Sequence, residues 1–338
     1  MTRPLVVIDA DSLGRRRTGD ETYVEGLLGA LPELAGNLRI AAVTRFPELV
    51  PDGVEAIELP AGSQELRMGW TLPRLLRRLR PALAHFLHAV PPRCPCPAVL
   101  TVQDLSFERD PGVMGRRDRW IFKRVVPWSA RRAARVLAIS ERTKDDVVEL
   151  YGVPPERVVV TPLGVDATFA PGDAADSYVL FVGSIEPRKN PLAAAAAARE
   201  AGRRLVVAGP TRDERLAAEL ERAGAELRGY VTKEELAELY RGAACLVHPS
   251  RYEGFGLTVV EAMASGTPVV ATPDAAVQEV AGEAAVFAEP GELAQAIQRA
   301  TSDRERLVAA GLERARRFTW EETARRTVAV YRELLSAS

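Results

Sequence analysis

Ser250-Arg251-Tyr252-Glu253-Gly254-Phe255-Gly256-Leu257-Thr258-Val259-Val260-Glu261, continued by Ala262-Met263-Ala264-Ser265-Gly266-Thr267-Pro268, is the stretch from which the rest of the chain is best read. Two carboxylates stand eight positions apart with a Gly-x-Gly turn between them, and the turn opens an apolar helical pattern at Leu257, Val260 and Ala264. Glycines let a ligand approach the backbone closely, because no Cβ stands in the way. The N–H groups and positive dipole end of the helix that follows favour a phosphate. Glu253 precedes the helix and Glu261 lies just over one turn inside it, so both reach groups attached to that phosphate. Carboxylates accept the hydrogen bonds that sugar and ribose hydroxyls donate. Taken alone, the spacing fits equally a helix N-terminus bearing two solvated glutamates.

The surroundings separate the two. Glu-x7-Glu enclosing Gly-Phe-Gly-Leu, followed by Glu-Ala-Met-Ala-x-Gly-x-Pro-Val-Val-Ala, resembles the signature of the retaining glycosyltransferases of family 4. The resemblance implies an α/β protein of GT-B architecture, two Rossmann-like doubly wound domains facing a central cleft, and a nucleotide-diphosphate sugar as donor. It also implies roles. Glu253 would contact the transferred sugar and Glu261 the nucleotide ribose, while Gly254, Phe255, Gly256, Leu257 and Thr258 offer backbone to the sugar and diphosphate.

Phe181-Val182-Gly183-Ser184-Ile185-Glu186-Pro187-Arg188-Lys189-Asn190 is the second strong signal. A strand ends in glycine and two cations follow, at the strand end where open α/β sheets bind ligands. Arg clasps diphosphate oxygens through paired N–H bonds and Lys adds a compact charge. Both would neutralise charge gathering on a departing nucleotide. The alternative is a solvated basic loop. The family's Gly-x-x-x-x-x-Arg-Lys motif is similar, and by that likeness Gly183, Ser184, Arg188 and Lys189 line the diphosphate.

Other matches are shorter. Gly14-Arg15-Arg16-Arg17-Thr18-Gly19-Asp20 is similar to the family's glycine loop that approaches the diphosphate from the first domain, with Gly19 as the contact and the arginines equally readable as solvated charge. Thr101-Val102-Gln103-Asp104-Leu105 stands where relatives carry His-Asp-Leu. Gln103 and Asp104 are therefore candidate catalytic residues, but glutamine cannot carry a proton near neutral pH as that histidine can. Gly209 resembles the phosphate-side turn and Val231 the base contact, whereas Lys233 and Glu234 read as surface charge at a helix start. His85 is a candidate cleft residue with a structural alternative. Asp9-Ala10-Asp11 mimics a metal-binding Asp-x-Asp but ends the first strand. No metal is expected.

The chain has 338 residues, too long for one ordinary core, which predicts two domains of about 150 residues each. Short apolar runs alternate with helical patterns throughout, as in a parallel sheet covered on both faces. Six strands are predicted in each half, with the boundary near Phe169–Asp176. The expected division is an acceptor domain over 1–170, a donor domain over 171–318, and a terminal helix over 319–338 which, in relatives, crosses back to the first domain. A formal net charge of −1 argues against a nucleic-acid partner. No apolar run approaches the roughly 20 residues of a membrane span, the start of the chain does not read as a signal peptide, and cytoplasmic residence is expected. Cys94, Cys96 and Cys245 form no framework.

One stretch points to a surface partner. Between Gly115 and Arg135 lie Arg116, Arg117, Arg119, Lys123, Arg124, Arg131, Arg132 and Arg135, interleaved with Trp120, Ile121, Phe122 and Trp128. That composition suits peripheral contact with an anionic membrane, and equally a core-facing helix with a solvated basic side. The resemblance implies a metal-independent retaining transfer of a hexose to a hydroxyl of a saccharide or lipid-linked acceptor. GDP-mannose is the first choice of donor and a UDP-hexose the second. A nucleotide-sugar epimerase and a non-catalytic binding homologue are the rivals.

Overall fold

A computed structural model describes residues 3–15, 18–59, 63–110, 112, 115–173 and 176–336. Contacts divide the chain into two units, one made of Met1–Leu105, Arg116–Gly164 and Thr319–Ser338, the other of Ser106–Gly115 and Val165–Phe318.

The first unit is built on a seven-stranded parallel sheet: β1 (Leu5–Asp9), β2 (Arg39–Thr44), β3 (Glu55–Glu58), β4 (Leu83–Leu87), β5 (Ala98–Val102), β6 (Arg135–Ala138) and β7 (Val158–Val160), in the order β3-β2-β1-β4-β5-β6-β7. Central strands such as Ala98-Val99-Leu100-Thr101-Val102 are buried throughout, as expected where helices cover both faces of a parallel sheet. β3 was not predicted. Its sequence, Glu-Ala-Ile-Glu, is largely exposed at the sheet edge and lacks an apolar run.

Thr319–Ser338 groups with this unit through the helix Trp320–Ser336. Trp320 packs edge-on to Tyr23, with ring centroids 6.4 Å apart, and a Cβ on Gly26 would come within 2.2 Å of the Trp320 ring. Glycine at 26 lets this helix seat on the helix Thr18–Leu34.

The second unit holds a six-stranded parallel sheet: β8 (Tyr178–Val182), β9 (Leu205–Ala208), β10 (Glu226–Gly229), β11 (Ala243–His248), β12 (Val269–Ala271) and β13 (Ala285–Phe287), ordered β10-β9-β8-β11-β12-β13. The alanine-rich helix Pro191–Glu200 buries Ala194, Ala195, Ala197 and Ala198, and its small side chains pack tightly in the core. Residues 165–170 group here rather than with the first unit. The Val165 N–H donates to the Phe318 carbonyl at 3.0 Å, and Phe169 packs edge-on against Tyr240. Among the described residues no helix is long and apolar enough to cross a membrane.

Candidate functional site

In the second unit, most of the sequence-predicted residues cluster beyond the carboxyl ends of the adjacent strands β9, β8 and β11. β8 runs into Gly183, and a short 3-10 turn follows over Pro187–Lys189. A Cβ on Gly209, just after β9, would lie 2.1 Å from the Gly183 carbonyl oxygen, and Gly209 also has φ +142°. Only glycine fits there.

The two cations of that turn face inward. Arg188 donates to the Tyr252 carbonyl at 2.7 Å and to Glu186 at 2.8 Å, while the Arg251 N–H donates to the Arg188 carbonyl at 3.0 Å. Lys189 donates to Glu253 Oε1 at 2.5 Å, and Arg188 Nη1 stands 3.7 Å from Glu253 Oε2. Their side chains are 11% and 14% exposed, which rules out a solvated basic loop.

Glu253 is 7% exposed. Burial works against its charge, yet Lys189, His248 and Arg188 together hold the carboxyl well below the usual carboxylate range. Its own N–H donates to Asp274 at 3.3 Å. Asp274 in turn caps the helix Ala275–Ala281 by accepting from Ala276 and Val277, so two elements fix the backbone of residue 253. Next comes Gly256, at φ +102°, then the helix Leu257–Ala264, whose N-terminus has no side-chain cap among the described residues. That end favours an anion. Phe255 is buried, with its ring packed edge-on against Phe318.

Glu261 is equally buried but oppositely poised. Burial pushes its pKa up to about 8, against the hydrogen bond from Tyr240 at 3.0 Å and the pull of Lys233, while Asp166 adds to the push. Lys233 is not plain surface charge: it is half-buried and donates to Asp166 at 2.8 Å, next to the Glu261 carboxyl. The helix that carries it is fixed by a capping box between Thr232 and Glu235. Val231 is half-buried in the loop before that helix, after β10, and Ser184 lies in the turn after Gly183.

In the first unit, Gly19 and Gln103 meet: a Cβ on Gly19 would lie 3.5 Å from Gln103 Oε1. The Gln103 side chain is buried, and its Nε2 has no hydrogen-bond partner among the described residues. Asp104, next along the chain, is half-buried. His88 Nε2 bonds Asp20 at 2.9 Å beside them. Arg16 and Arg17 lie outside the described residues, whereas Arg15 bonds Asp11 at 2.7 Å.

The remaining candidates are structural. His85 is fully buried, with Nδ1 2.6 Å from the Tyr331 hydroxyl and Nε2 2.7 Å from that of Thr101. Burial lowers its pKa to about 3, so it is a neutral tie between the terminal helix and the sheet. Asp9 and Asp11 are taken by arginines: Arg67 grips Asp9 through two nitrogens at 2.5 and 2.9 Å, and Arg45 and Arg15 bond Asp11. Among the described residues no three His, Cys, Asp or Glu side chains gather as metal ligands.

The basic stretch forms the helix Arg116–Arg132. Val126, Pro127, Ser129 and Ala130 are buried, Arg131 donates to the Tyr151 carbonyl, and Arg135 pairs with Glu333. Trp120 and Trp128 remain exposed, each with an arginine four residues on, Arg124 and Arg132, stacked over its ring. Trp70 and Arg74 repeat the arrangement.

His248, Asp274, Tyr240 and Lys233 were not read from sequence as parts of the site. Asp274 was detectable as an N-cap before Ala275-Ala276-Val277. His248 and Tyr240 act through folded contacts that no local pattern announces.

Comparisons with known proteins bear on the family and the fold. The description "Glycosyltransferase Family 4" matches residues 18–169 and "Glycosyl transferases group 1" residues 176–303. O-antigen chain mannosyltransferase B of Escherichia coli is 30% identical over 70% of this chain and 70% of its own length. D-inositol 3-phosphate glycosyltransferase 1 of Catenulispora acidiphila is 32% identical over 87% and 85%. Some curated relatives are longer, the chain spanning as little as 51% of one. The solved structure of Anabaena HepE in complex with UDP-glucose superposes with a TM-score of 0.72, covering 99% of each chain at 16% identity. The chain belongs to glycosyltransferase family 4 and has the GT-B fold.

Proposed function

We propose that this glycosyltransferase is retaining and metal-independent, and that it moves a hexose from a nucleotide-diphosphate sugar to a hydroxyl of a saccharide or lipid-linked acceptor. The observation that carries this reading is the buried cluster of Arg188, Lys189 and Glu253 beside the uncapped helix N-terminus at Gly256. Cations and helix end suit the diphosphate, and Glu253 suits a sugar hydroxyl. Glu261, with Tyr240, suits the ribose, while Gly183, Ser184 and Gly209 border the diphosphate and Val231 the base. In the first unit, Gly19, Gln103 and Asp104 are candidate residues by the family resemblance.

Transfer then needs no protein base. The acceptor oxygen bonds to the anomeric carbon as the bond to phosphate breaks. That electron pair stays on the phosphate, which takes the acceptor proton on the same face. Arg188, Lys189 and the helix end stabilise the charge that builds there.

Mannose from GDP-mannose is the first choice of donor, supported by the likeness to an O-antigen mannosyltransferase. A UDP-hexose is second, since HepE was solved with UDP-glucose. A thermal-shift panel of nucleotides and nucleotide sugars ranks them, because binding to the native state raises apparent stability. No shift with any nucleoside diphosphate would reject the donor site. Transfer should persist in excess EDTA, and a strict need for magnesium or manganese would overturn the metal-free reading. Turnover of the donor without an acceptor would point to an epimerase.

Cytoplasmic residence with peripheral contact at anionic membrane through residues 115–135 completes the reading, supported by the exposed tryptophan–arginine pairs. Co-sedimentation with anionic but not neutral vesicles, fading as salt screens charge beyond about 10 Å at 0.1 M, is the expected result. Recovery that does not depend on lipid charge would remove this part alone.

A further inference from the structure

Glu253 faces a conflict between its partners and the proposed donor. The groups holding it, Lys189 and Arg188, are those proposed to take the donor diphosphate. Once the diphosphate draws them off, a buried carboxylate would lose its two cationic partners, and an unpaired buried charge is costly.

A third group faces the same oxygen. His248, at the end of β11, is 3% exposed, and its Nε2 lies 3.1 Å from Glu253 Oε1. That nitrogen makes no aligned hydrogen bond with any described residue, so the 3.1 Å approach is a close contact of a buried, otherwise unpartnered ring nitrogen with the carboxylate. The opposite ring nitrogen, Nδ1, lies 3.3 Å from the Thr258 hydroxyl, in the first turn of the helix whose N-terminus is the proposed diphosphate cradle. A neutral imidazole that accepts from the Thr258 hydroxyl at Nδ1 carries its proton on Nε2, the nitrogen nearest Glu253.

We propose that His248 is a positioning residue for transfer, retaining Glu253 in place and ionised while Lys189 and Arg188 serve the diphosphate. The inference rests on the donor site proposed above. It acts through Glu253, the imidazole being buried beside Glu253 and Thr258. The charged and titratable groups around Glu253 are Lys189, Arg188 and His248, with Asp274 at its backbone N–H. His248 is among those that favour the ionised form, so its loss raises the pKa of Glu253.

The test compares H248N with H248Q in the full chain. Both are polar and close to histidine in size. The asparagine amide sits where Nδ1 was and falls short of Glu253, whereas the glutamine amide reaches the Nε2 position and can donate. H248N should lose roughly 10- to 100-fold in kcat, the range of a lost hydrogen bond to a charged group. Its acidic limb in the kcat–pH profile should move to higher pH, with nucleoside diphosphate affinity within about two-fold of wild type. H248Q should recover most of the turnover. Equal loss in both variants, no loss in H248N, an unmoved acidic limb, or a fall in nucleotide affinity matching that in kcat would each overturn the positioning role. If the wild type itself binds no nucleoside diphosphate, the donor site fails and this inference falls with it.

Discussion

Glu253 and Glu261 share a motif, a residue type and a degree of burial, each being 7% exposed, yet their surroundings drive them in opposite directions. Glu253 sits among Lys189, Arg188 and His248 and is held well below the ordinary carboxylate range. Glu261 has a neutral phenol against it and a cation only at one remove, and burial takes its pKa up to about 8. The spacing of a motif places two carboxyls, and the folded neighbours decide what each does. An ionised carboxylate suits a sugar hydroxyl near a centre that gathers positive character. A carboxyl poised near neutrality shares protons with a ribose diol, and accepts more strongly once it ionises.

The largest expected effect comes from removing the cations that set the Glu253 end apart. Changing Arg188 and Lys189 together to alanine should lower transfer by about 10^3-fold or more, since the two charge-assisted contacts proposed for the leaving diphosphate go at once. The variant should stay folded by circular dichroism and still bind the nucleoside without phosphates, whose proposed contact is Glu261. Comparable losses of nucleoside and nucleotide binding would mean the two ends are not separate sites.

How far this contrast was legible in sequence follows from its physics. The parallel sheets were legible because buried strands are continuous apolar runs, as in Tyr178–Val182 and Ala243–His248. β3 was not, because an exposed edge strand needs no such run. That residues 165–170 group with the second unit was not legible, because the Val165–Phe318 bond joins positions far apart in the chain. Within the site, Glu253, Glu261, Arg188 and Lys189 stood out as charges beside glycine turns. The mutual bond of Lys189 and Glu253 spans 64 positions and joins two motifs read separately. The two readings of His85 stayed open for the same reason, since its partner Tyr331 lies 246 positions away.

Separate single variants sharpen the comparison at the next scale. E253A should mainly lower turnover and E261A mainly weaken nucleotide binding, each by about 1.5–3 kcal/mol for a charged hydrogen bond. Equal losses of nucleotide affinity in both would break the division. Stability gives an independent reading with opposite signs. The folded pKa of Glu261, about 8, lies above its ordinary 4.5, so its stabilising contribution is complete below 4.5 and is lost as pH rises towards 8. Glu253 is depressed, so its contribution is present above the ordinary value and is lost as pH falls. The melting temperature of E261Q should therefore gain several degrees on wild type between about pH 5 and pH 8.5. A constant difference across that range would show that Glu261 is not held near neutrality.

The smallest expected effect is also the most discriminating. Glu253, which holds Lys189 at 2.5 Å, would compete with the proposed diphosphate for that cation and would add a negative charge beside the anion's proposed place. E253Q removes that charge and keeps the shape of the side chain, so a nucleoside diphosphate carrying no sugar should bind about 3- to 10-fold more tightly, up to about 1.4 kcal/mol. The gain is limited because Lys189 must leave one oxygen partner to meet another in either protein. Transfer should fall in the same variant, since the sugar loses its charged acceptor. Calorimetric titration with the nucleoside diphosphate decides the matter. Tighter binding with slower transfer means that the carboxylate opposes the anion and serves the sugar. Unchanged or weaker binding would mean that Glu253 organises the cations for the diphosphate, and the separation of roles between the two glutamates would have to be redrawn.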